Sequence, residues 1–132
     1  MGLFVYVAVR NDHTGIYQSS WEQWLRQHFP SWAFVDLDNQ SDPSFISYVQ
    51  QAVNEHTRII VMIELKTNSN APLGSAFTLL QRLAREQSDQ TILLLQGEHP
   101  VLEKMGKAFR LFYQTTSRGE TEQQLTQILE VD

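Results

Sequence analysis

The chain contains no cysteine. That absence removes disulfide staples, thiolate metal sites and a cysteine nucleophile, and 132 residues bury enough surface as one domain to need no staple. Positive charge is also scarce. Ten Lys and Arg stand against fifteen Asp and Glu, giving a formal charge of -5, and the basic residues are scattered. A phosphate-tracking surface needs the opposite, so nucleic acid is not an expected partner. Long hydrophobic runs are missing as well. The apolar opening from Leu3 to Val9 is far shorter than the roughly 20 residues that span a bilayer, and it has neither a basic flank nor a small-residue cleavage site. No membrane association is expected, and the composition fits the cytosol. There is no GxGxxG, GxSxG or Walker loop. His13, His28, His56 and His99 show no i, i+4 pairing and no HxH, so zinc is not implied, and the sequence calls for no cofactor.

What is present is a regular alternation. LFVYVAV (Leu3 to Val9) is an apolar run of strand length, and SSWEQWLRQHF follows with Trp21, Trp24, Leu25 and Phe29 at helical spacing. Ser19 and Glu22 form a capping-box pattern at its start. WAFVDLD (Trp32 to Asp38) reads as a second strand. Asp42 before Pro43 predicts an N-cap with a first-turn proline, opening a helix with Phe45, Ile46, Val49, Ala52 and Val53 on one face. IIVMIEL is a third strand, and SAFTLLQRLAREQ a helix with Ala76, Leu79, Leu80, Leu83 and Ala84 inward. TILLLQG, the helix HPVLEKMGKAF with Val101, Leu102, Met105 and Phe109, and the short strand LFYQTT come next. Ser117 and Glu120 cap a last helix that buries Leu125, Ile128 and Leu129.

Five strand-helix units in series predict one α/β domain over residues 1–132, three layers α/β/α, with a parallel sheet. The first, third and fourth strands are almost wholly apolar, as strands buried on both faces should be. The second carries Asp36 and Asp38, and the fifth is short and ends in Gln114, Thr115 and Thr116. Polar strands belong at edges, which gives the flavodoxin-like order 2-1-3-4-5 with its switch point between strands one and three. The two longest strand-to-helix connections, RNDHTGIYQ and KTNSNAPLG, flank that crevice. They bring Asn11, Asp12 and His13 to one side and Lys66, Asn68, Ser69 and Asn70 to the other, beside Asp38 and Glu64. Tyr17 and Leu73 are the side chains placed to fill the crevice if it is closed.

Chemistry at the crevice is less specified. Asp12, Asp38 and Glu64 could offer carboxylate oxygens to Mg²⁺, although no DxD-like spacing links them and solvated strand-end carboxylates give the same pattern. QGEHP sets Gly97 before a helix N-terminus, a geometry that can take an anion and equally a plain turn. His28 and His56 close helices, where an imidazolium suits the dipole. The three tryptophans read as core and rim of the first helix rather than as a base-stacking platform.

Two family resemblances rest on these segments. FVYVAV, FVDLDNQSDPSFISYVQQAVNEHTRIIVMI and the long loop into SAFTLL resemble the first strand, acidic loop, second helix, third strand and third helix of a Toll/interleukin-receptor-like (TIR) domain. The likeness covers roughly the first two-thirds of the chain and is a pattern rather than a fingerprint. Enzymatic TIR domains hydrolyse NAD with a glutamate early in the third helix; here Ala76 or Ser75 stands there, which puts NAD hydrolysis in doubt. Element lengths and SAFTLLQRLAREQSDQTILLL also resemble response-regulator receivers. Receivers need an acidic pair after the first strand, an aspartate ending the third and a lysine ending the fifth. This chain has Asn11 and Asp12, then Glu64 or Asn68, then Gln114 to Thr116 without a lysine, so the resemblance implies a degenerate receiver that takes no phosphoryl group.

The expected function is a non-catalytic signalling or adaptor-type interaction module. The alternative is a small nucleotide- or nucleoside-binding protein, including a TIR-like NAD-processing or nucleoside-transfer enzyme, that uses the crevice. The segment KAFRLFYQTT adds a candidate interface. Phe109, Leu111, Phe112 and Tyr113 crowd a short edge strand on which alternation turns only about half inward. The remainder predicts an exposed apolar patch for a homodimer or protein partner, with Phe112 or Tyr113 near its centre and Arg110 at its rim. The alternative is that flanking helices bury the rings within the monomer.

Overall fold

The computed structural model describes residues 2–9, 20–39, 42–65 and 72–131. Its elements alternate as the hydrophobic periodicity requires: β1 (Leu3–Val9), α1 (Ser20–His28), β2 (Ala33–Asp38), α2 (Pro43–Asn54), β3 (Ile59–Leu65), α3 (Ser75–Glu86), a 3-10 turn (Ser88–Gln90), β4 (Thr91–Gln96), α4 (Pro100–Gly106), β5 (Leu111–Thr115) and α5 (Arg118–Val131). All four strand pairings are parallel and the order is β2-β1-β3-β4-β5. The fold is therefore a single flavodoxin-like α/β sheet with helices on both faces.

Strand alternation sorts the core into two layers. Leu3, Val5, Val7 and Val9 point to one side, where α2, α3 and α4 supply Val49, Leu80 and Leu102. Phe4, Tyr6 and Ala8 point to the other, where α1 and α5 supply Trp21, Trp24, Leu25, Leu125, Ile128 and Leu129. The edge strands explain their own polarity: in β2 only Leu37 is fully buried and in β5 only Thr115, whereas every residue of β1 is buried.

Local chemistry sets the helix ends. The Asp42 carboxylate accepts from the Ser44 N–H at 2.8 Å and the Ser44 hydroxyl at 2.7 Å, capping α2 as its sequence predicts. At α5 the box is half formed: the Glu120 N–H donates to Ser117 Oγ at 3.2 Å, while the Glu120 carboxylate accepts from the Thr116 hydroxyl. His28 and His56 do close helices. Each ring donates Nδ1–H to a carbonyl four residues back, Trp24 at 2.9 Å and Ala52 at 2.8 Å. Between α1 and α5, the Arg118 guanidinium lies 4.2 Å from the Trp21 ring centroid and donates to Ser20 Oγ at 2.6 Å.

α4 departs from its periodicity. The pattern from His99 to Phe109 predicts three turns, but the helix stops at Gly106, which packs against the Phe112 ring with no room for a side chain. Val101, expected on the buried face, is 42% exposed because so short a helix buries only Leu102 and Gly106.

Candidate functional site

At the carboxyl ends of the strands the register places Asp38 and Glu64 on either side of Ala8, one pairing with it from β2 and the other from β3. Two strand spacings separate their backbones, about 9.6 Å, and both face the α1/α5 side. The small Ala8 side chain between them is fully buried. Among the described residues no group of three or more His, Asp or Glu is arranged to hold a metal ion. Asp12, the third carboxylate of the expected acidic pocket, lies outside the described residues. So do Asn11, His13, Tyr17, Lys66, Asn68, Ser69 and Asn70.

Glu64 takes part in a hydrogen-bond chain that crosses the sheet. The Tyr6 hydroxyl donates to Glu64 Oε1, and Gln96 Nε2 donates to Glu64 Oε2 at 3.1 Å. Gln96 Oε1 in turn accepts from the Thr121 hydroxyl at 2.7 Å, and Thr121 Oγ1 lies 2.6 Å from Thr115 Oγ1. A hydroxyl has one hydrogen to give. Thr121 Oγ1 also lies 2.9 Å from the Ser117 carbonyl, so its one hydrogen has two acceptors to choose between, while Tyr6 and Gln96 both donate to Glu64. Tyr6 completes the chain from β1. Sequence reading placed Glu64 at the site but missed Tyr6, Gln96, Thr115 and Thr121. The available signal was their parity: Tyr6, Glu64 and Gln96 share a sheet face with apolar neighbours, where a polar side chain must find a polar partner.

On the other side of the crevice Asn39 clamps the entry to α3. Its side-chain amide donates to the Pro72 carbonyl at 2.7 Å and its backbone N–H to the Ala8 carbonyl at 3.1 Å. Gly74 follows with φ 56° and ψ -138°, and an added Cβ would fall on the Asn39 carbonyl oxygen. Leu73 is buried in the α2/α3 core layer. Ser75 and Ala76 then open α3, Ala76 fully buried, at the position where the TIR resemblance calls for a glutamate.

The turn after β4 is closed by its own groups. Gly97 (φ 120°) donates its N–H to the Thr115 carbonyl at 2.9 Å, and its carbonyl accepts from Gln114 Nε2 at 2.8 Å. The His99 N–H at the start of α4 donates to Glu103 Oε2 at 3.0 Å, so the helix supplies its own carboxylate at the end where an external anion would bind. Gln114 and Thr115 stand where the receiver resemblance calls for a lysine.

Asp36, one turn of the pleat below Asp38, has its carboxyl raised above the ordinary 3.8, chiefly by burial, then by repulsion from Glu22 on α1, with Asp38 adding to it against a backbone hydrogen bond that lowers it. A raised carboxyl binds more protons folded than unfolded, so its contribution to stability is present below 3.8 and lost as pH rises through the folded value. Asp36→Asn is therefore expected to raise the denaturation midpoint at neutral pH. That gain should shrink as pH approaches 3.8; urea unfolding across this range checks it, and a gain that does not vary with pH contradicts it.

At the β5 edge, Phe109 is buried, Phe112 packs against the α2/α3 layer and Tyr113 against the α1/α5 layer. The exposed apolar side chain of the strand is Leu111, at 40%. Beside it an open groove of about 260 Å³ is lined by Ile92, Arg110, Leu111, Tyr113, Gln124, Gln127 and Ile128. Among the described residues no helix is long and apolar enough to cross a membrane. Compared with known protein families, with curated proteins and with solved structures, the chain matches none.

Proposed function

We propose that this chain is a non-catalytic signalling or adaptor-type interaction module on a flavodoxin-like fold. The observation that carries this reading is the hydrogen-bonded chain at the strand ends. The carboxylate where a receiver-like site would work is held through both oxygens by Tyr6 and Gln96. The acceptor of Gln96 is in turn taken by Thr121. Groups already satisfied by one another must be broken apart before they can serve a substrate, and that costs binding energy. The exposed large apolar side chains among the described residues are Tyr48 on α2, Val101 on α4 and Leu111 on β5, two of the three on the α4, β5 side. That supports contact with a protein through the α4, β5, α5 side, with Leu111 rather than a ring at its centre.

A second reading rests on the pair of strand-end carboxylates on either side of Ala8. Two carboxylates flanking a small residue at a switch point suit the hydroxyls of a ribose, which supports a nucleotide- or nucleoside-binding protein. A thermal-unfolding panel of nucleotides, nucleosides, NAD and Mg²⁺ separates the two. The module reading expects no shift. A ligand at a hundred times its dissociation constant adds about 2.7 kcal/mol to the folded state, and a shift of that size would replace the first reading with the second.

A further inference from the structure

We propose that the outer edge of β5 docks an extended acidic peptide, added to the sheet as a sixth strand; this rests on the interaction-module reading and names its partner class. Three features meet there. β5 ends the sheet order, so half of its backbone N–H and C=O groups face away from β4, a template for another strand. The groove beside Leu111 and Tyr113 opens on the α5 side of the sheet, with Ile92 and Ile128 in its wall. Lys104 and Lys107 on and just past α4, with Arg110 at the groove mouth, are all exposed.

Charge selects the occupant. On a chain of net charge -5, three of the ten basic residues fall between positions 104 and 110. No carboxylate among the described residues pairs with them, whereas Arg26, Arg85 and Arg118 each have one. α4 and α5 cover opposite faces of the sheet. A strand laid against β5 turns alternate side chains to those two faces. Apolar side chains at every second position would enter the α5-side groove, and acidic ones between them would meet Lys104 and Lys107. The partner is thus an extended segment alternating apolar and acidic residues. A second copy fits less well: a two-fold pairing through this edge sets the same three cations against each other.

The test uses the intact protein and a fluorescein-labelled octapeptide alternating glutamate and valine. One comparison peptide has the same composition with its glutamates in one block, and another has lysine in place of glutamate. The alternating acidic peptide is expected to give saturable anisotropy, weakened by added salt. Both comparison peptides should bind less tightly, and the Lys104→Glu/Lys107→Glu variant about 2- to 30-fold less tightly, the loss expected when two exposed charge pairs go. Leu111→Glu should bind less tightly too, and circular dichroism confirms that each variant is folded. Equal binding of the alternating and block peptides, no saturation by millimolar peptide, or unchanged binding by the charge-reversed variant overturns the proposal. Sedimentation equilibrium on the same samples keeps the two readings apart. A wild-type chain that ignores the peptide but self-associates, and loses this with Leu111→Glu, overturns the peptide partner and leaves the module standing. A monomer that ignores the peptide while a nucleotide raises its melting temperature removes both.

Discussion

Gly74→Ala is expected to cost about 3 kcal/mol or more of folding stability, in the range of strained-backbone substitutions compounded by a clash. Gly74 sits at φ 56° and ψ -138°, a region in which a β-carbon is penalised even in open space. The space is not open, because the Asn39 carbonyl oxygen occupies it. Relief requires Asn39 to move, and Asn39 holds both the Pro72 carbonyl and the end of β1. Urea unfolding of the variant measures the loss. Gly119→Ala is the matched control, since only Ser117 Oγ lies near, at 4.0 Å, and the site is helical; it should gain about 0.5–1 kcal/mol. A loss below about 1 kcal/mol at Gly74 would show that the entry to α3 re-forms without Asn39.

Glu64→Ala is expected to cost about 1–3 kcal/mol, the range for leaving a buried donor without an acceptor. Tyr6 is almost wholly buried and Gln96 half-buried, and both lose the group they share. Glu64→Gln is a sharper probe. Its oxygen can serve Tyr6, but its amide nitrogen then faces that of Gln96, donor against donor. Relief comes if Gln96 turns over, because the Thr121 hydroxyl can then accept from its amide while donating to the Ser117 carbonyl at 2.9 Å, so Glu64→Gln is expected to cost less than Glu64→Ala. A double-mutant cycle between Glu64→Ala and Thr121→Val, residues joined through Gln96, should show coupling above about 0.5 kcal/mol. Strict additivity would mean that the chain is a set of separate bonds rather than one network.

Much of the fold is legible in the sequence because apolar alternation and helical spacing are repeated signals. Five strands, their parallel arrangement, the edge positions of β2 and β5, and the Asp42 cap all follow from pattern. The end of α4 at Gly106 does not, and neither does the contact with the Phe112 ring, six positions on and in another element, that leaves no room for a side chain at Gly106. The site was legible only in part. Glu64 and Asp38 announce themselves as carboxylates at strand ends, but their use depends on register across several strands. Tyr6 reads as one more apolar strand residue until β3 is laid beside it. The interface residues show the same limit. Four large groups in KAFRLFYQTT can be counted, yet which of them stays outside depends on how far α4 and α5 reach over the edge, and that leaves Leu111.

The sheet order also dictates how the chain must assemble. Leu3 pairs with Ile59, a separation of 56 positions (59 − 3), whereas Ile92 pairs with Leu111 only 19 away (111 − 92). Closing the longer loop costs about 1 kcal/mol more in chain entropy, and the intervening β2 and α2 must be kept out of the way while it closes. β3-β4-β5 and β1-β2 are the two locally connected blocks. The seam between β1 and β3 is the last to gain from proximity along the chain, and it is the line that Tyr6 and Glu64 cross. The bond that ties up the strand-end carboxylate is thus also the latch by which the two halves of the domain recognise that they have met.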